Sequence, residues 1–208
     1  MADTQAPPGR IDGRAARAER TRRAIVDAHL ALIDEGNLKP TGERIAERAG
    51  VSLRTLWTNF KDMETLFAAT SERVTERQNA IYRPVPPDLP LTRRVEEFCA
   101  QRVRMLEMLA PSARASAVRQ PFSKELRAAR RRNIARVRSE IETLFAEELE
   151  IAGDGRAELL NSLTVASTFA AWSMMRDELK LDPEAAGAVM SRTVAALLVA
   201  AIASAGLR

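Results

Sequence analysis

Apolar positions recur at helical spacing along most of the chain, and no stretch alternates for long enough to make a strand. The pattern stops at Gly36, at Gly50, at the cluster Pro84, Pro86, Pro87 and Pro90, and at Gly153-Asp154-Gly155. Nine helices are predicted. The first covers about 17–35, two short ones flank Gly50, and a fourth runs over about 61–82. The fifth follows Thr92 and stops before Pro111, and a short sixth lies between Pro111 and Pro121. A long seventh starts after Ser123 and reaches about 150, and the eighth covers 156–179. Asp182-Pro183-Glu184 opens the ninth with a capping carboxylate, a proline at the first helical position and an acidic first turn. The expected fold is all-α: a polar arm over 1–14, a small three-helix domain over 15–62, and a larger helical domain over 63–208.

The short pair from Thr41 to Phe60 is the most informative part. Gly50 supplies the positive φ of a tight interhelical turn. Thr41 and Ser52 are placed to cap the two helices with their hydroxyls. Helical spacing turns Ile45, Ala49, Val51, Leu56 and Phe60 inward. Leu53, Arg54, Thr55, Trp57, Thr58 and Asn59 are left on the outer face, which is short and rich in donors. Such a pair is a helix-turn-helix, and its second helix fits the DNA major groove. Arg54 is suited to guanine O6 and N7, and Asn59 to adenine or phosphate, each good bidentate contact giving ~1–3 kcal/mol of discrimination. Trp57 donates through its indole N–H or stacks internally. Lys61 adds a charge for the DNA backbone, and Thr41 and Ser52 stand at its edge.

Residues 25–66 resemble the DNA-binding region of the tetracycline-repressor (TetR) family. The resemblance rests on the helix ending at Gly36, then Thr41, Ile45-Ala46, Ala49-Gly50-Val51-Ser52, Thr55-Leu56-Trp57, Phe60 and Leu66, roughly the first third of the chain. It departs at three positions. Trp57 stands where the family usually has tyrosine, Asn59 where histidine is frequent, and Met63 where a lysine commonly meets a DNA phosphate. Lys61 lies near enough to take over that role. The resemblance implies a homodimeric, ligand-responsive transcriptional regulator, most commonly a repressor, bound to a palindromic operator and released by a small molecule.

A chain of 208 residues with 46% apolar content is enough for a substantial core. The formal charge of +4 agrees with a polyanionic partner without demanding one. Among 32 basic residues, Lys39, Lys61, Lys124 and Lys180 are the lysines, an arginine bias that base composition of the coding sequence can produce. The single cysteine, Cys99, forms no intramolecular disulfide and fits a reducing cytoplasm. The first 14 residues have no apolar core of signal type, and Arg10, Arg14 and Arg17 are placed to touch DNA backbone. The uncharged stretches 159–175 and 193–207 read as buried helices rather than membrane spans, the first interrupted by polar residues and the second short of the ~20 apolar residues a span needs.

A ligand site is expected in the larger domain. Phe98, Met105 and neighbouring apolar residues share one arc of the fifth helix, with Arg102 near its centre. Arg130 falls in the matching arc of the seventh, which also carries Phe145. An arginine amid apolar side chains needs a partner. One reading pairs Arg102, with Arg130, to the anionic group of an amphipathic ligand whose apolar part meets Phe98, Met105, Phe145, Trp172 or Met175. The other is a structural ion pair with Glu96, Glu97 or another acid, or a rim arginine whose stem covers apolar surface. Cys99 reads as a buried, inert thiol and His29 as a packing or hydrogen-bonding residue.

The ninth helix is apolar over more than one face, with Met190, Val194, Leu197 and Ala201 in one stripe and Val189, Ala196 and Ala200 widening it. The last two helices are therefore expected to form a homodimer interface, as paired half-sites also favour. With one histidine and one cysteine there is no metal set and no nucleophile triad, so no metal or cofactor is expected and no enzyme class is favoured. Two alternatives stay open: a ligand-binding protein of the same fold that has lost specific DNA binding, and a helical enzyme.

Overall fold

The computed structural model describes residues 10–206 and places side chains for 13–204. Among these residues the chain is all-α, with no strand. Ten α-helices follow one another: α1 (Arg10–Asp34), α2 (Gly42–Arg48), α3 (Leu53–Asn59), α4 (Met63–Ile81), α5 (Leu91–Arg119), α6 (Lys124–Leu144), α7 (Ala146–Ile151), α8 (Arg156–Ala166), α9 (Phe169–Ser173) and α10 (Pro183–Gly206). A π-helical turn, Met174–Glu178, continues α9.

Two apolar cores form. Ile25, Leu30, Ile45, Leu56, Phe60 and Leu66 make the smaller, from α1 to the first turns of α4. Leu66 and Ala69 lie beyond residue 62, so the N-terminal core extends past the boundary expected from the sequence. The larger core joins α5, α6, α7, α8 and α10 through Phe98, Leu106, Ile141, Phe145, Trp172 and Met190. The remainder of α4 lies along α6 and links the two cores.

The predicted punctuation holds at several ends. Gly50 has a φ of 67°, the left-handed turn that joins α2 to α3. Thr41 and Ser52 accept the backbone N–H of Arg44 and Thr55. Ser123 accepts from Leu126 N, and Asp182 from Ala185 N at 2.8 Å. Asp62 and Thr65 add a reciprocal capping box at the start of α4.

Four expectations are corrected. The first helix begins at Arg10 and takes in 10–14, which the sequence assigns to the arm; residues 1–9 lie outside the described residues. The fifth helix starts at Leu91, ahead of Thr92, and passes through Pro111 to Arg119, absorbing the expected sixth. Proline removes one N–H donor, while burial of Leu109, Ala110 and Ala115 holds the helix together on both sides. The seventh divides at Phe145. Arg94, buried with Glu148, donates to the Leu144 carbonyl at 2.8 Å and takes up the acceptor that a continuous helix would use. The eighth divides at Ser167, whose carbonyl accepts from Arg102, and Thr168 caps α9.

Candidate DNA-reading face and ligand cavity

Of the residues predicted for DNA, Thr41, Ser52, Leu53, Arg54, Trp57, Thr58 and Lys61 are exposed and share one side of the N-terminal domain's α2–α3 unit and the turn after it. Thr55 and Asn59 are half-buried. Several of their polar atoms are already used. The Ser52 and Thr41 oxygens cap helices, and the Thr58 hydroxyl donates to the Arg54 carbonyl at 2.8 Å. Asn59 Nδ2 donates back to the Thr55 carbonyl at 2.8 Å, which holds the amide along α3 rather than outward. Among the described residues neither Arg54 nor Lys61 forms an ion pair, and α3 carries no acid. Both side chains are exposed, with the Asp62 carboxylate near Lys61. Trp57 is 37% exposed and lays its indole on Gly42 at the start of α2. Met63 packs against the N-terminal core.

Helix α1 supports this face. Arg22 donates to the Asn59 carbonyl at 3.1 Å and stacks its guanidinium 4.3 Å from the Phe60 ring centroid. Arg73 pairs with Asp27 and Arg77 with Asp34, so α4 is fastened to α1 along its length. His29 Nδ1 and Thr70 Oγ1 are 2.9 Å apart in the same seam.

A cavity of about 200 Å³ opens between α1, α4, α5 and α6 and the α8–α9 junction. Arg102 and Arg130 both line it. Phe98, Met105, Phe145, Trp172 and Met175 do not. All five are buried, and Phe98, Phe145, Trp172 and Met175 belong to the larger core, Phe98 and Phe145 as an edge-to-face pair with centroids 5.6 Å apart, while the Trp172 indole N–H donates to Glu107. Helical arcs distinguish inward from outward, and an inward residue meets either core or cavity. The lining that the sequence did not single out includes His29, Phe67, Thr70, Gln78, Arg119 and Asn133. Four of these lie on α1 and α4, because the cavity straddles both domains rather than sitting inside the larger one. Of the lining residues among those described, none is Asp or Glu.

Arg102 is 2% exposed. Its Nη2 donates to the Ser167 carbonyl at 2.8 Å, and its Nε is buried without a partner. Burial lowers its pKa, opposed by the Glu140 carboxylate, which forms no ion pair with it. Glu140 instead accepts from Gln101 Nε2 at 3.0 Å. Glu96 and Glu97, the two acids named for a structural pairing, bind Arg93 on the surface. Arg130 is exposed, with a long 3.4 Å bond to Gln120. Arg119 sits 5.6 Å from the Phe67 ring centroid. Cys99 is buried, and burial pushes its thiol up to about 12, so it is not a reactive thiolate.

No protein-family model matches the chain, and no curated protein matches it. Among solved structures the chain is similar to a transcriptional regulator from Rhodococcus sp. Rha1, with 19% identity, a TM-score of 0.61, and coverage of 89% of this chain and 97% of that one. At that identity the likeness extends to the fold: the two chains share one all-helical architecture over nearly their whole length.

Proposed function

We propose that the chain is a ligand-responsive transcriptional regulator of the TetR type, most simply a cytoplasmic repressor that binds a palindromic operator as a homodimer. The observation that carries this reading is the α2–α3 pair: a capped helix-turn-helix with a left-handed Gly50, its outer face presenting Arg54 and Trp57 beside Lys61. Arg14 and Arg17, exposed on the first turns of α1, add backbone charge. The regulator of similar fold supports the same direction. The cavity would hold an amphipathic, anionic effector against Arg102, and its contact with α1 and α4 would couple ligand to operator, typically by ~1–3 kcal/mol.

The homodimer is drawn from α10 and its neighbours. Ala186, Met190, Val194 and Leu198 face inward, while Val189, Val199, Val165 of α8 and Met174 of the π turn are 43–66% exposed. By length and composition α10 is also apolar enough to cross a membrane, which the uncharged run 193–207 alone did not reveal, and 22% of that span is buried. A second copy covers such a face and sets two α3 helices for paired half-sites. One alternative keeps a specific observation behind it: Asn59 is turned back onto α3 and Met63 is in the core, as in a ligand-binding protein of this fold without sequence-specific DNA binding.

Selection of bound sequences from random DNA, with and without candidate effectors, separates these. A palindromic consensus that wild type binds and Arg54→Ala loses supports the regulator. Enrichment of no sequence leaves the ligand-binding alternative.

A further inference from the structure

The cavity presents buried polar groups at two places, and they make opposite demands. Arg102 lines it with a guanidinium that has one protein acceptor among the described residues, the Ser167 carbonyl on Nη2, while its buried Nε has none. His29 offers the reverse. The Thr70 hydroxyl has one proton, and it goes to the Leu66 carbonyl at 2.8 Å, so towards His29 Nδ1 the oxygen accepts. Nδ1 therefore carries the ring proton. Burial, with the charge of Arg119, holds the ring's pKa down to about 4, so the imidazole is neutral and Nε2 is a bare acceptor. The ring lines the cavity, and Nε2 has no protein partner. The rest of the wall is mostly apolar, with Val74, Leu109, Ala113, Ile134 and Val137, and its Gln78 and Asn133 side chains bond each other. The places are far apart. Arg102 lies in the first half of α5, and Arg119, whose charge acts on His29, is its last residue.

We propose that this cavity selects an elongated, apolar organic anion with a hydrogen-bond donor, a hydroxyl or N–H, at the end remote from its anionic group: the anion binds Arg102 and the donor binds His29 Nε2. This rests on reading the chain as a ligand-responsive regulator. A buried guanidinium with an unmet donor gains more from an anion than the exposed Arg130 or the half-buried Arg119, which lies over the Phe67 ring, and this fixes the orientation. A second acceptor at the remote end would meet a lone pair at Nε2 and leave both groups unpaired. The acid-free lining excludes cations from competing.

The test is calorimetric titration of the full chain with dodecanoate, ω-hydroxydodecanoate and dodecanol. The hydroxy acid is expected to bind about tenfold tighter than dodecanoate, and dodecanol more weakly than either acid. His29→Phe keeps a ring against Phe67 and should equalise the two acids by weakening the hydroxy acid alone. Arg102→Gln should weaken both acids and leave dodecanol unchanged; if it does not fold, Arg102→Lys, which keeps charge but lacks Nε, should also weaken both. Equal affinity of wild type for the two acids, or a preference that survives His29→Phe, overturns the donor contact. Binding of neither acid, or acid binding unchanged in every folded Arg102 variant, overturns the anion site. Operator binding by the ligand-free protein, measured beside these, decides the regulator reading independently.

Discussion

Gly42 and Trp57 are fitted to each other: a Cβ built on Gly42 would fall 2.6 Å from Trp57 Cζ2 and 3.3 Å from Leu53 Cδ1. The absence of a side chain at the first residue of α2 is what lets the indole of α3 lie down and orient the exposed face. Gly42→Ala is expected to change thermal stability little, since alanine's gain in a helix, about 1 kcal/mol, offsets the crowding. Operator affinity should fall by about tenfold as Trp57 is displaced. Unchanged affinity in a gel-shift titration would count against a positioned Trp57.

Arg54 and Lys61 should fail in different ways. Arg54→Ala is expected to cost ~1–3 kcal/mol at a selected operator and to relax one base position. Lys61→Ala should weaken binding to all sequences and lower the salt slope by about one unit. Titrations at several salt concentrations separate the two.

Arg94 and Glu148 form a two-pronged pair, 2.8 and 2.6 Å, with both side chains at most 6% exposed. Glu148→Gln removes one charge and leaves the other buried, a loss of about 3–5 kcal/mol. Urea unfolding is expected to show it. Replacing both, Arg94→Met with Glu148→Leu, should recover part of the loss, the remainder reflecting the freed Leu144 carbonyl.

His29 makes stability pH-dependent. Its folded pKa, about 4, lies below the ordinary 6.5, so between these values the unfolded chain binds a proton that the native chain refuses. The contribution is present above pH 6.5 and is lost as pH falls towards 4, on the order of 3 kcal/mol in all. Comparing urea midpoints of wild type and His29→Phe at both ends of that window isolates it; an equal acid loss in the variant would show that the carboxylates alone are responsible.

If α10 is a dimer face, Val199→Glu should yield monomers in sedimentation at micromolar concentration and weaken operator binding, while the fold, whose inward stripe is untouched, persists. Dimers that survive the substitution would place the interface elsewhere.

The helix-turn-helix was legible because its determinants are local: a glycine with positive φ, two hydroxyl caps and an apolar spacing all act within twenty residues. The breaks at Phe145 and Ser167 were not, because each is made by an arginine from α5, Arg94 or Arg102, taking a carbonyl from another helix. Pro111 misled for the same reason, its lost hydrogen bond being outweighed by packing that only tertiary structure reveals. In the cavity, Arg102 and Arg130 were found by asking which charges lie on apolar arcs. His29 was missed because it looks like an ordinary buried residue, and it belongs to a helix that the sequence assigns wholly to DNA binding.

The seam between α1 and α4 also fixes how far a signal has to go. His29 looks into the cavity, and Arg22, on the same uninterrupted helix, holds the last carbonyl of α3. Two turns of helix, roughly 10 Å, separate them. A rotation or slide of α1 at its cavity end arrives at the end of the reading helix as a rigid-body movement. On the proposed function no relay through the larger core is required, and substitutions that break α1 between Ala24 and Ala28 would uncouple ligand from DNA without touching either.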